Sequence, residues 1–204
     1  MKTDIVPATS SDAIPRAFEV LRLGGVVAFP TDTVYGIGAL AFNGKAVQSM
    51  YTAKDRPLEK AIPVLIGEMD DLEQVAMDIP RKAHLLALRF WPGPLTILFP
   101  KKPSLPEAVS ATPFVGVRVP DHDIARALLR AAGPMAVTSA NISGQASPTT
   151  AEEVFAQLGG RIELIIDGGK TPGGVPSTLV DCTGDEIRVL REGPITEVEL
   201  RSAL

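Results

Sequence analysis

The alternation of short apolar runs with helical segments is the feature that most restricts the fold of this chain. The runs are short enough to be buried strands, and they lie at residues 26–29, 61–66, 95–99, 115–119, 135–138 and 163–166. Apolar side chains recur at helical spacing between them, at residues 45–53, 81–90, 121–132 and 151–158. Because the alternation lacks a strict βαβ rhythm, we predict an α/β (α+β) fold with an open, twisted mixed sheet flanked by helices.

The length of the chain predicts a single domain over residues 1–204. The sequence has 204 residues, and a domain usually takes roughly 100–200. We find no internal repeat, low-complexity tract or linker, and we expect no C-terminal extension domain.

The charge and the cysteine content restrict the class of protein. A formal net charge of −4 argues against a broad electrostatic grip on nucleic acid, although it allows a local basic pocket. Cys182 is the sole cysteine, which excludes an intramolecular disulfide and is typical of a small strand residue. The sequence has neither a signal-peptide core nor an apolar run near the roughly 20 residues of a membrane span. We therefore predict a cytoplasmic protein with no membrane partner.

Residues 30–38 (Pro-Thr-Asp-Thr-Val-Tyr-Gly-Ile-Gly) directly follow the first predicted strand. Hydroxyl groups and glycines at the end of a strand can bind a small polar ligand, because glycine lets backbone amides approach it closely. The alternative is a threonine-rich turn in which Asp32 binds its own backbone. The segment has no Gly-Lys-Ser/Thr ending and is therefore not a P-loop.

Three cations, Lys54, Arg56 and Lys60, lie within seven residues where a predicted helix gives way to a strand. Pro57 disfavours helix at Arg56, so we expect Lys54 and Arg56 to lie extended and to point the same way. Three cations suit a triphosphate, although Asp55 and Glu59 make a solvated surface turn the alternative.

Two further segments place small polar residues beside strands. Residues 137–149 run from a strand through Ser139, Asn141 and Ser147 towards a helix, which is a suitable shape for donors aimed at phosphate. Residues 173–181 form a glycine loop that enters a strand through Ser177, and Arg191 ends the next strand. The alternatives are a helix-capping loop and ordinary turns.

No other chemistry stands out in the sequence. No set of His, Cys or carboxylate residues has metal-ligand spacing, so we predict no protein metal site. No Ser-His-Asp set and no clear acid/base pair of carboxylates is present. His84 and His122 are interpreted as structural or exposed.

Taken together, these segments resemble the threonylcarbamoyl-AMP synthase family of YrdC-like proteins from about residue 14 to residue 194. The motifs that carry the resemblance, beside residues 30–38, are Lys54-x-Arg56, Trp91-Pro92-Gly93-Pro94, Val117-Arg118-Val119-Pro120, Ser139-Ala140-Asn141-x-Ser143-Gly144, Pro176-Ser177-Thr178 and Arg191-x-Gly193. Each motif is weak by itself, but their order and spacing are very specific.

The resemblance implies a YrdC-like fold with a central basic-lined cavity. It implies an ATP-dependent nucleotidyltransferase that converts ATP, L-threonine and bicarbonate into threonylcarbamoyl-AMP, with Mg²⁺ carried on the ATP. The product would pass to a separate tRNA threonylcarbamoyl transferase complex, and a weak contact with RNA is compatible with that role.

The resemblance also implies roles for individual residues. Threonine would be bound by Thr33, Arg118 and Ser177. ATP would be bound by Arg56, Lys60, Ser139, Asn141, Ser147 and Arg191. Lys54 and Arg56 would act in catalysis on the phosphates. Some family members have a threonine-binding His at the position of Leu65, and leucine cannot make that hydrogen bond. We expect residues 168–176 to form a lid.

Three alternatives remain at this point. The first is a non-catalytic YrdC-like module that binds a nucleotide or RNA. The second is a sister enzyme that makes another carbamoyl-adenylate, as in hydrogenase maturation, but such proteins carry extra domains. The third is a paralogous branch in which the Ser-x-Asn pair tends to be lost, whereas Ser139 and Asn141 are both present here.

Overall fold

The computed structural model describes residues 2–204. Its strands are β1 (Asp4–Pro7), β2 (Val27–Phe29), β3 (Gly36–Leu40), β4 (Val64–Leu65), β5 (Leu95–Pro100), β6 (Phe114–Arg118), β7 (Met135–Ser139), β8 (Leu164–Asp167), β9 (Thr178–Asp181) and β10 (Arg188–Arg191). Its α-helices are α1 (Ala13–Arg22), α2 (Gly44–Lys54), α3 (Leu72–Val75), α4 (Arg81–Phe90), α5 (Asp123–Ala132), α6 (Ala151–Leu158) and α7 (Glu197–Ser202). A 3₁₀ helix, Met69–Asp71, precedes α3.

All these strands join one ten-stranded sheet in the order β1-β8-β2-β3-β7-β4-β6-β5-β9-β10. The pairs β1–β8, β2–β8, β4–β6 and β5–β9 are parallel, and the other neighbouring pairs are antiparallel. The prediction of an open, mixed sheet flanked by helices is confirmed.

The sheet has an apolar layer on each face. Successive side chains of β2 alternate between them, since Val27 and Phe29 belong to one buried cluster and Ala28 belongs to the other. Helices α1 and α5 cover the first face, where Leu21 and Leu128 are fully buried. The larger cluster on the second face includes the buried side chains of α2, α4 and α6.

Most of the predicted elements are present, with local differences. Helices α4 and α6 occupy the predicted residues, whereas the strand predicted at 61–66 is reduced to the two residues of β4. β1, α7 and the pairing of β3 with β7 were not predicted. The four residues of β1 become a strand only because β8 lies beside them.

The expectation that Lys54 and Arg56 lie extended side by side is wrong. Lys54 is the last residue of α2, and Asp55 ends that helix in the left-handed conformation with φ of 51°. Pro57 restricts only the residue before it, so its effect does not reach Lys54. The reversal of the chain at Asp55 sends the side chains of Lys54 and Arg56 to different surroundings.

Candidate active site

One face of the sheet lines a cavity of about 290 Å³. Alternate residues of β6, namely Phe114, Gly116 and Arg118, line this cavity, as successive side chains on one face of a strand should. Strand β5 contributes Thr96 and Leu98 in the same manner and β9 contributes Leu179, whereas β7 contributes the consecutive residues Val137, Thr138 and Ser139. The remaining polar wall comes from loop residues, namely Thr31, Thr33, Arg56, Ser110, Thr112 and Ser177, and from Arg191 at the end of β10.

Six of the predicted site residues line this one cavity, although they come from distant parts of the chain. They are Thr33, Arg56, Arg118, Ser139, Ser177 and Arg191. Four predicted residues do not line it, namely Lys54, Lys60, Asn141 and Ser147. The cavity is therefore built mainly from the segments that the sequence singled out.

The wall of the cavity carries three positive charges, of which that of Arg118 is paired with Asp32, a residue outside the lining. Arg56, Arg118 and Arg191 line it, and no Asp or Glu of residues 2–204 does so. Burial lowers the pKa of Arg56, and burial followed by the charges of Arg118 and Arg56 lowers the pKa of Arg191. Because the arginines are both desolvated and mutually repulsive, an anionic ligand would stabilise this site.

Arg118 is the most buried of the three arginines and is held from three sides. Its Nε donates to the Gly93 carbonyl at 2.9 Å and its Nη1 donates to Thr33 Oγ1 at 3.3 Å. Its Nη2 donates to Asp32 Oδ1. Burial lowers the pKa of Arg118, and the charge of Asp32 acts in the opposite direction. The guanidinium is thus fixed in place before any ligand binds.

Arg56 reaches the cavity by folding back over its own loop. Its Nε donates to the Lys60 carbonyl at 3.1 Å, and its Nη2 donates to the Ala61 carbonyl at 2.9 Å. These contacts aim the guanidinium at the cavity, whereas the Lys60 side chain is exposed to solvent.

Lys54 lies under the site and not on its wall. Its side chain is 1% exposed, and its Nζ donates to the carbonyl oxygens of Ser139 and Asn141. Burial, with the nearby charge of Arg56, lowers the pKa of Lys54 to about 7. In this arrangement Lys54 fastens the Ser139–Asn141 turn to the end of α2.

The side chain of Asn141 also forms hydrogen bonds within the protein. Its Nδ2 donates to the Ile142 carbonyl at 2.8 Å and to the Gln145 carbonyl at 2.9 Å, while its Oδ1 accepts from Ser139 Oγ. The amide therefore shapes the turn that carries Ser139. Ser147, farther along the same segment, is half-buried and outside the cavity lining.

The glycine loop approaches the threonine-rich turn very closely. A Cβ on Gly173 would lie 2.2 Å from the Thr33 carbonyl oxygen, so only glycine fits there without a shift. A Cβ on Gly193 would lie 2.3 Å from the Thr178 nitrogen, which shows how tightly the Arg191-x-Gly193 segment packs on Ser177. Of residues 168–176, where the sequence predicted a lid, Pro176 lines the cavity and Gly173 packs on Thr33, which also lines it.

Leu65 also lines the cavity and stands beside the Arg118 position in the parallel β4–β6 pair. It adds an apolar surface next to the buried guanidinium. Sequence reasoning missed Thr96, which lies in β5 with its hydroxyl 2.8 Å from Ser177 Oγ. A polar residue inside an otherwise apolar strand was the available signal.

The remaining reactive side chains lie elsewhere. Cys182 is buried and directly follows β9, one residue beyond the strand in which it was predicted, and burial raises the pKa of its thiol to about 11. Within residues 2–204 no cluster of three or more His, Cys, Asp or Glu side chains could hold a metal ion. No helix in that part of the chain is both long enough and apolar enough to span a membrane.

Comparison with known proteins agrees with the cavity. The family model named Sua5_yciO_yrdC and described as telomere recombination matches residues 19–193. The chain belongs to the Sua5/YciO/YrdC family. This membership confirms the resemblance that the motifs indicated.

Named members of the Sua5/YciO/YrdC family are similar over almost the whole chain. The threonylcarbamoyl-AMP synthase of Bacillus subtilis is 44% identical over 200 residues, which are 97% of this chain and 58% of that protein. A putative threonylcarbamoyl-AMP synthase of Mycobacterium tuberculosis is 40% identical over 97% of this chain and 92% of that protein. The chain therefore spans little more than half of the first relative and nearly all of the second.

A solved structure of the family has the same fold. The crystal structure of Pyrococcus abyssi Sua5 complexed with L-threonine superposes with a TM-score of 0.94 at 40% identity. The match covers 100% of this chain and 61% of that one.

Proposed function

We propose that this chain is an L-threonylcarbamoyladenylate synthase, a nucleotidyltransferase that joins L-threonine, bicarbonate and ATP. The observation that carries the proposal is a cavity wall with three arginines and no carboxylate within residues 2–204. Such a wall favours anionic groups, and the phosphates of a nucleoside triphosphate and the carboxylate of an amino acid both supply them. The names of the relatives and the threonine complex of the Pyrococcus abyssi protein support the same substrates.

Threonine would occupy the part of the cavity around Arg118. The fixed guanidinium can pair with the carboxylate of the substrate in a planar, two-point contact that lysine could not copy. Thr33 contacts this arginine directly, and Ser177 lies on the same cavity wall. The apolar side chain of Leu65 suits the methyl group of threonine.

ATP would occupy the part of the cavity around Arg56 and Arg191. Ser139 lies on the same wall, and Lys60 and Ser147 would reach the nucleotide from outside the present lining. Lys54 and Asn141 would act by shaping the Ser139 turn, because their polar groups already bind backbone carbonyls. Mg²⁺ would arrive on the triphosphate, which fits a cavity without a carboxylate set.

The reaction needs two bond-forming steps. The neutral threonine amine attacks the carbon of CO₂ to form a carbamate with loss of a proton, or the carbon of bicarbonate to form the same carbamate with loss of water. A carbamate oxygen then attacks the α-phosphorus of ATP, and the bond to pyrophosphate breaks. The arginines would stabilise the charge that develops on the phosphates, so positioning and electrostatics would supply most of the catalysis. The product would pass to a tRNA threonylcarbamoyl transferase complex.

The test is to incubate the protein with ATP, Mg²⁺, bicarbonate and each amino acid in turn, and to measure the release of pyrophosphate. We expect release with threonine and much less with serine or valine. The absence of pyrophosphate release with every amino acid would contradict the proposal, particularly if the protein bound RNA tightly and in a salt-sensitive manner. That pair of results would favour a binding module.

A further inference from the structure

Thr96 carries a buried hydroxyl group at the wall of the cavity. Its residue is 2% exposed, and its Oγ1 lies 2.8 Å from Ser177 Oγ. Its methyl group points the other way, 3.0 Å from the place where a Cβ on Gly116 would stand. Gly116 thus leaves room for the rotamer that turns the hydroxyl towards Ser177.

Ser177 Oγ receives a second contact from Arg191. The Nη2 of Arg191 donates to this oxygen at 3.1 Å, and its Nε donates to the Ser177 carbonyl at 3.0 Å. A guanidinium has only donors, so one lone pair of Ser177 Oγ is occupied by an N–H.

Either hydroxyl of the Thr96–Ser177 pair could donate the hydrogen bond that joins them. Among residues 2–204, Ser177 Oγ is the sole hydrogen-bond partner of the Thr96 hydroxyl. Thr96 is the less exposed residue, at 2% against 5% for Ser177, so we take Thr96 as the donor, which leaves the free proton on the more accessible side chain. The second lone pair of Ser177 Oγ is then occupied as well, and its proton is the one group left for a ligand in the cavity.

We propose that Thr96 is a positioning residue that fixes Ser177 as a hydrogen-bond donor towards an oxygen of the bound amino acid. A serine hydroxyl with both lone pairs occupied can donate a hydrogen bond to a carboxylate or hydroxyl oxygen, but it cannot accept one from an ammonium group. The bond thereby sets the orientation in which the amino acid binds. This inference rests on the proposed function, since it assumes that threonine occupies this part of the cavity.

The experiment compares Thr96→Val with the control Thr96→Ser in pyrophosphate release with threonine as the varied substrate. Valine keeps the shape of threonine but removes the donor, so the proton of Ser177 is free to rotate. We expect Thr96→Val to raise the KM for threonine about tenfold, the value of one oriented hydrogen bond. We expect kcat and the KM for ATP to stay within about threefold of wild type, and Thr96→Ser to restore the KM for threonine.

A second measurement separates this role from a structural one. In a Ser177→Ala background, Thr96→Val should change the KM for threonine by less than about twofold, because Thr96 acts through Ser177. If Thr96→Val lowers the melting temperature strongly, the same measurement is made with Thr96→Ala, which removes the hydroxyl group and adds no bulk. An unchanged KM in both variants, or an equal loss in Thr96→Ser, overturns the inference. A tenfold rise in the KM for threonine caused by Thr96→Val in the Ser177→Ala background would also overturn the inference.

The two proposals fail in different ways. An active wild-type enzyme with an unaffected Thr96→Val variant overturns the role of Thr96 and leaves the proposed function standing. A wild-type protein without threonine-dependent pyrophosphate release overturns the proposed function, and the role of Thr96 with it.

Discussion

Arg118 and Asp32 form an ion pair inside the protein, with side chains that are 6% and 12% exposed. Asp32 Oδ1 accepts from Arg118, whereas Asp32 Oδ2 is buried and has no hydrogen-bond partner within residues 2–204. Asp32 is therefore more than part of a local turn. It balances the one arginine whose charge is almost completely removed from water.

Removal of Asp32 should destabilise the protein by leaving a buried charge unpaired. We expect Asp32→Ala to lower the free energy of unfolding by about 3 kcal/mol or more, measured by urea denaturation. The control is Glu19→Ala, which removes an exposed pair with Arg22 and should leave the free energy of unfolding nearly unchanged. An Asp32→Ala protein as stable as the control would contradict this account of the pair.

Arg56 should be important for the chemistry on ATP. We expect Arg56→Ala to reduce pyrophosphate release by about a hundredfold or more, because about 3 kcal/mol of transition-state stabilisation is lost. Arg22→Ala removes an equally charged but exposed side chain on α1 and should leave the rate unchanged. Near wild-type activity of Arg56→Ala would remove Arg56 from the proposed ATP site.

The burial of Lys54 should make stability depend on pH. The pKa of Lys54 falls from 10.5 to about 7 on folding, so between these values the unfolded chain holds a proton that the folded protein has released. The contribution of Lys54 to stability therefore rises with pH from about 7 to about 10, by at most about 1.4 kcal/mol per pH unit.

Lys54→Met tests this linkage. The variant leaves the Ser139 and Asn141 carbonyls without their donor, and we expect a loss of about 2 kcal/mol in the free energy of unfolding near pH 7. The difference in the free energy of unfolding between wild type and Lys54→Met should widen as the pH rises to 10. Lys82→Met is the matched control, because Lys82 also donates to two carbonyls but is only half-buried. A gap for Lys54→Met that stays constant or narrows with pH would contradict the prediction.

The close approach of Gly173 to Thr33 should matter for the binding of the amino acid. An alanine at this position would collide with the Thr33 backbone, and overpacking of this kind typically costs about 1–3 kcal/mol. We expect Gly173→Ala to raise the KM for threonine by about tenfold. At Gly184, by contrast, an added Cβ meets its nearest neighbour at 4.0 Å, so Gly184→Ala should behave as wild type. Equal KM values for the two variants would show that the loop does not contribute to the threonine site.

The sequence predicted the wall of the cavity better than the supports behind it. Arg118, Ser139 and Arg191 end strands that lie at or beside the predicted strand segments, and all three line the cavity. Lys54 was misjudged because its surroundings depend on the left-handed turn at Asp55 and on the distant Ser139 turn. Neither of these can be read from local propensity.

Thr96 and β1 escaped prediction for a related reason. Thr96 is an ordinary strand residue until Ser177, which lies far along the chain, is brought to 2.8 Å from its hydroxyl. β1 has only four residues and owes its conformation to pairing with β8. Contacts between distant segments determine both the role of Thr96 and the conformation of β1, whereas hydrophobic periodicity depends only on residues close together in the sequence.

The central claim is tested most directly by following the carbon of bicarbonate. The protein is incubated with ATP, Mg²⁺, L-threonine and ¹³C-labelled bicarbonate, and the adenylate products are analysed by mass spectrometry. We predict threonylcarbamoyl-AMP that carries the label in its carbamoyl group, in an amount equal to the pyrophosphate released. Pyrophosphate release without labelled product, or no threonine-dependent release at all, would contradict the assignment.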